Sequence, residues 1–75
     1  MMLFDLADGD VFRTKRKYAL FESKRTCNTF LVVKKYIRND GKRMVKCLSC
    51  DWRNPTMKYF NGEMDVTKYD YGKDL

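Results

Sequence analysis

Histidine is absent from this chain, proline occurs once, glycine four times and cysteine three times. Without histidine, the commonest general base and the commonest metal ligand are both missing, which argues against most small hydrolases. No stretch approaches the roughly 20 consecutive apolar residues that a membrane helix needs, so no membrane partner is expected. The opening residues, Met1-Met2-Leu3-Phe4-Asp5, lack the basic start and apolar run of a secretory signal. Three cysteines, two of them only three residues apart, make a poor disulfide framework. Such thiols suit a reducing compartment, and the expected location is cytoplasmic.

The 75 residues are read as one domain, 1–75, near the lower limit for folding without added support. Its tail, 70–75, is expected to fray. What the chain has in abundance is positive charge and aromatic rings. Residues 11–46 hold twelve Lys or Arg against only Glu22 and Asp40, while the whole chain carries +6. Tyr18, Phe21, Phe30 and Tyr36 lie among these cations. Cationic and aromatic side chains together suit a polyanion with stackable bases.

The local patterning is that of strands. Val11-Phe12-Arg13 follows the turn-like Leu6-Ala7-Asp8-Gly9-Asp10. Residues 17–23 alternate as a strand would, although Lys, Arg, Ala, Leu and Glu across 15–25 also suit a helix. Thr29-Phe30-Leu31-Val32-Val33 with Tyr36-Ile37, and then residues 43–52, are β-branched or aromatic and flank Asn39-Asp40-Gly41-Lys42, a turn sequence. With Asp40-Gly41 as a two-residue turn, Leu31, Val33, Ile37, Met44, Leu48 and Cys50 share the core face. Phe30, Lys34, Tyr36, Arg38, Arg43 and Cys47 then share the other. The same register opposes Arg38 to Arg43 and Lys35 to Lys46. Like charges so placed destabilise a sheet, which points to a surface arranged for an anion.

Asn61-Gly62 between Met57-Lys58-Tyr59-Phe60 and Glu63-Met64-Asp65-Val66 predicts a two-residue type I′ hairpin, Lys58 opposite Asp65. Arg53-Asn54-Pro55 reads as a loop, because proline cannot donate to a central ladder. The expected fold is mainly β: a small, strongly bent antiparallel sheet or SH3-like barrel of five to six strands, with room for one short helix. Leu6-x-x-Gly9-Asp10-x-Phe12, Tyr18 and an Asn61-Gly62 hairpin ending in Val66 resemble small basic SH3-like β-barrel proteins of tailed phages and bacteria. That resemblance implies a fold, and by analogy a protein that binds host nucleic acid or inhibits a host protein in the host cytoplasm.

Motifs for other chemistry are thin. Cys47-Leu48-Ser49-Cys50 has a CxxC spacing, and with Cys27 gives three thiols where zinc needs four ligands. Asp5, Asp8 and Asp10 lack the loop and terminal glutamate of a calcium site. Glu22-Ser23-Lys24 echoes a nuclease triplet without the α/β core those enzymes use. No enzyme activity, cofactor or metal is therefore expected. The expected function is a nucleic-acid-binding module, with RNA or single strands preferred over duplex. Lys15, Arg16, Lys17, Lys34, Lys35, Arg38, Lys42 and Arg43 would meet phosphates, and Phe30 and Tyr36 would stack on bases. The alternative is a small inhibitor docking the same basic face on an acidic host protein. An exposed strand edge at residues 58–60 would permit oligomers.

Overall fold

The computed structural model describes residues 1–20, 24–51, 53 and 55–69. Five strands make one curled, unclosed antiparallel sheet: β1 (Val11–Ala19), β2 (Thr26–Ile37), β3 (Arg43–Ser49), β4 (Met57–Asn61) and β5 (Val66–Lys68). Their order across the sheet is β4-β3-β2-β1-β5. The only helical element among the described residues is a single 3-10 turn at Leu3–Asp5. The mainly β expectation holds, and residues 17–19 belong to β1 rather than to a helix. Phe21, Glu22, Ser23, Trp52, Asn54 and the expected frayed tail lie outside the described residues.

The inner face carries Phe12 of β1, Phe30 and Val32 of β2, Val45 and Cys47 of β3, Phe60 of β4 and Val66 of β5, all buried. Phe12, Tyr18, Phe30 and Phe60 form an aromatic quartet. The Phe60 ring lies 5.0 Å from Phe30 and 6.4 Å from Phe12, both edge to face. β4 and β1 are not neighbours in the sheet, so these contacts measure how far it curls. Leu3 and Leu6, wholly or almost wholly buried, complete the same core. Their segment is held by Leu3 N–H donating to the Met64 carbonyl (2.9 Å) and Phe4 N–H to the Gly62 carbonyl (2.8 Å).

The sequence-based assignment of faces is inverted in β3 and in β2 up to Val32, while Lys34 and Tyr36 lie outside as expected. Phe30 and Cys47 face the core, whereas Leu31, Met44 and Leu48 are only half-buried and lie on the outside. Both alternating sets in these strands are apolar, so period-2 patterning could not choose between them. The register also differs by one. Arg38 N–H donates to the Lys42 carbonyl and Gly41 N–H to the Arg38 carbonyl, each 2.8 Å. The loop is therefore three residues with Gly41 at φ +85°, a turn closed by a left-handed glycine.

The predicted Asn61-Gly62 hairpin is not formed. β4 pairs with β3, and β5 pairs with β1 at the opposite edge of the sheet. Asn61-Gly62 is still a turn, with Met64 N–H donating to the Asn61 carbonyl (3.1 Å). Gly62 serves close approach there: a Cβ would fall 2.9 Å from Phe4 Cβ and 3.2 Å from Arg43 Cβ. The turn before β1 does form, closed by Asp10 N–H to the Ala7 carbonyl (3.0 Å) and Ala7 N–H to Asp10 Oδ2 (2.9 Å).

Candidate nucleic-acid interface

A single extra residue in β2 creates the candidate site. Val32 pairs with Cys47, but the next pair is Lys34 with Lys46, leaving Val33 unopposed as a β-bulge. In an unbroken strand Lys34 would share the inner face with Val32. The bulge turns both Val33 and Lys34 outward and sends Lys35 inward, which is the common use of a bulge to re-aim a side chain. Downstream of it, Tyr36 also faces out, opposite Met44.

The outer face is then read in rows across the strands. Val11, Leu31, Leu48 and Met57 make an apolar row over four strands. Beside it run Lys34, Lys46 and Tyr59, and next Tyr36, Met44 and Asn61. Tyr59 is 56% exposed and Tyr36 partly so. The five ion pairs among the described residues involve neither Lys34 nor Lys46. Two ammonium groups are thus presented together, bordered by two phenol rings and an apolar strip.

The other expected contacts are dispersed. Arg38 does not oppose Arg43: its guanidinium donates to both carboxylate oxygens of Asp40, at 3.1 and 2.5 Å. That hydrogen bonding, with the Lys42 N–H, holds the Asp40 carboxyl at about 2 and raises Arg38 above its ordinary value. Lys35 does not oppose Lys46. Its ammonium donates to the Phe4 carbonyl (3.1 Å) and sits 5.1 Å from the Phe4 ring centre, so it closes the mouth of the core. Arg43 stacks on the same ring at 5.5 Å. Lys42 is exposed on the β2–β3 loop.

Phe30 cannot stack on a base, because it is 0% exposed in the aromatic quartet. Lys15-Arg16-Lys17 sits in a second irregularity, where β1 and β2 lose register between Arg13 and Tyr18. Thr14 Oγ1 ties this stretch down by donating to the Arg16 carbonyl (2.6 Å). Lys15 is 2.6 Å from Asp65, Arg16 lies over the Tyr18 ring at 4.8 Å, and Lys17 is exposed. Lys15 and the N-terminal ammonium together hold the Asp65 carboxyl at about 2. Counted along β2, this cluster is six residues from Lys34, roughly 20 Å by strand rise. The Lys15–Lys17 cluster is therefore separate from the Lys34–Lys46 pair.

Lys46 and Tyr59 belong to the face but were not recognised as contacts from the sequence. Lys46 was detectable as one of an opposed lysine pair; Tyr59 was hidden by the wrong strand partner. Cys27, Cys47 and Cys50 do not assemble a zinc site. Cys47 is buried in the core and Cys50 exposed, and no group of three or more metal-binding side chains gathers among the described residues. Asp10 instead caps its turn and lies 3.7 Å from the Lys68 ammonium. No helix among the described residues is long and apolar enough to cross a membrane. The chain matches no protein-family model, no curated protein and no solved structure.

Proposed function

We propose that this protein is a non-enzymatic nucleic-acid-binding module whose outer sheet face takes RNA or single-stranded nucleic acid. The observation that carries the proposal is the Lys34–Lys46 pair, set without a carboxylate partner between half-exposed Tyr36 and Tyr59. Two opposed ammonium groups repel each other and gain most from an anion placed between them. Flanking phenol rings offer stacking that any base can use, worth about 1–3 kcal/mol per base. A sheet face with exposed rings and lysines is a general solution for unpaired bases, whereas a major-groove reader would present a helix or a two-stranded ribbon. The exposed Lys17 and Lys42 extend the positive field toward the ends of the sheet. The free thiols of Cys27, Cys47 and Cys50 fit a reducing, cytoplasmic setting.

Titrating labelled single-stranded RNA, single-stranded DNA and duplex, each at low and moderate salt, tests this. Affinity should fall steeply with salt, and replacing Lys34 and Lys46 together by alanine should reduce the log–log slope by about 1.4 on single strands. Salt-independent binding, or a slope unchanged in the double variant, would refute it.

A second reading has its own observation. Leu31 and Leu48, the middle of the apolar row on the same face, border a shallow, mostly apolar depression of about 330 Å³ that Cys50, Asp51 and Pro55 also line. An apolar strip rimmed by lysines also suits an acidic host protein, which this chain would then inhibit by covering. A one-to-one protein complex that survives nuclease treatment would favour that reading over the first.

A further inference from the structure

We infer that β4 is a dimerisation edge, along which a second copy of this chain adds its own β4 in antiparallel, two-fold-related register. The inference stands apart from what the outer face binds. β4 ends the strand order, so one side of its backbone faces β3 and the other faces no strand among the described residues. Gly62 N–H donates to the Arg43 carbonyl (2.8 Å), and Ser49 N–H to the Thr56 carbonyl (2.9 Å). With Val45 paired to Phe60 and Cys47 to Lys58, the even-numbered residues turn their peptide groups toward β3. Met57 and Tyr59 therefore turn theirs away, in a row ready to pair. Their side chains are 40% and 56% exposed. The other edge, β5, is only three residues long, whereas β4 is five and contains no proline.

The charges select the register. With Tyr59 against the partner's Tyr59, all five residues overlap, Met57 meets the partner's Asn61, and Lys58 meets the partner's Phe60. Moving one step toward the N-terminus sets Lys58 against the partner's Lys58, which costs stability. Moving one step the other way leaves Met57 unpaired. Only the Tyr59-centred register is both complete and free of opposed like charges. It is an isologous two-fold contact, which closes on itself rather than propagating into a fibre. It also joins two outer faces, so that Lys34, Lys46 and Tyr59 run on into the partner's Tyr59, Lys46 and Lys34. Six strands at about 4.8 Å make this row about 24 Å long.

Each copy carries +6, so bare subunits repel and screening favours association. Sedimentation from micromolar to millimolar protein should show a monomer–dimer equilibrium that shifts toward dimer between about 0.05 M and about 0.5 M salt. A monomer throughout would overturn the inference. Tyr59→Pro removes an amide that β3 does not use, and proline is tolerated on an edge where that N–H faces outward. It should keep the far-ultraviolet spectrum of a folded sheet and lose the dimer, while Tyr59→Ala, which retains the amide, should still dimerise. A folded Tyr59→Pro protein that remains dimeric would overturn the β4 contact. Should that variant fail to fold, hydrogen exchange in the unaltered protein decides. Protection of the Met57 and Tyr59 amides that rises with concentration supports the pairing, and free exchange at every concentration refutes it. Protection that arises only on adding an extended acidic peptide would assign the edge to such a partner instead, and would refute self-pairing.

Discussion

Lys34 stands directly opposite Lys46 across β2 and β3, and neither lysine has a carboxylate partner among the described residues. The pairing costs the fold stability, and the sheet could have avoided it with any neutral residue at either position. Lys46→Glu should therefore move two properties in opposite directions. Opposite charges across an antiparallel pair are worth roughly 0.2–1 kcal/mol, so thermal melting should rise by about 1–8 °C. Affinity for single-stranded polyanions should fall at the same time. A variant that melts lower, or binds as before, would contradict the assigned role.

The rings divide into core and surface, and truncation separates them. Phe30→Ala empties the centre of the aromatic quartet and should destabilise by about 3–5 kcal/mol, as buried phenylalanines do. Tyr59→Ala and Tyr36→Ala should leave chemical denaturation nearly unchanged yet weaken oligonucleotide binding by about 1–3 kcal/mol each. Equal effects of all three on stability would show that the outer rings are structural.

Two glycines are required for different reasons. Gly41 has φ +85° with open space around it, whereas Gly62 has no such φ but lies against Phe4 and Arg43. Alanine should destabilise at both positions, by about 1 kcal/mol or more at Gly41. Asparagine, which tolerates the left-handed region, should restore much of the loss at Gly41 and none at Gly62. Melting temperatures of the four variants check this, and rescue at Gly62 would refute the close-contact explanation.

Acid should weaken the fold through two exposed carboxylates. Asp65 is lowered to about 2 by hydrogen bonds from Lys15 and the N-terminal ammonium, and Asp40 to about 2 by Arg38 and the Lys42 N–H. A carboxylate lowered in the folded state contributes stability that is whole above its unfolded value, near 3.8. That contribution fades as pH falls through about 2. Melting temperature should decline across this window, less steeply at high salt. In Asp65→Asn part of the decline should vanish; an identical pH profile would exclude Asp65 as a contributor.

The thiols should separate by access. Cys50 is exposed, while Cys47 is buried in the core, where loss of hydration pushes its thiol up to about 12. A thiol reagent should modify Cys50 in the native protein and reach Cys47 only on unfolding. Rapid native modification of Cys47 would mean that the sheet opens far more often than its packing implies.

How much of this could be read from the chain is best judged residue by residue. Alternating β-branched and aromatic residues identified a mainly β protein, and glycine with aspartate marked the turns before β1 and after β2. Lys34 and Tyr36 were recognised as companions on one face, and they are. The core face of β2 was misassigned because Leu31 and Val33 are as apolar as Phe30 and Val32, so local hydrophobicity carries no vote. Asn61-Gly62 signalled a reversal correctly. What a turn cannot encode is which strands its two arms join. Here that choice falls to distant packing, with Phe60 drawn against Phe12 and Phe30 and with Phe4 seated on Gly62. The Val33 bulge has no sequence signature at all, yet it decides which lysines reach the surface.

The aromatic quartet gives this small sheet one compliant direction. β4 and β1 are drawn together by rings rather than by a ladder of amides, so widening the seam between them stretches no inter-strand hydrogen bond. Between neighbouring strands, by contrast, spreading must break backbone hydrogen bonds one residue at a time. The curvature of the outer face is thus set by the thickness of four side chains. A slimmer apolar side chain at Phe60 would flatten the face that meets a partner while every strand kept its register.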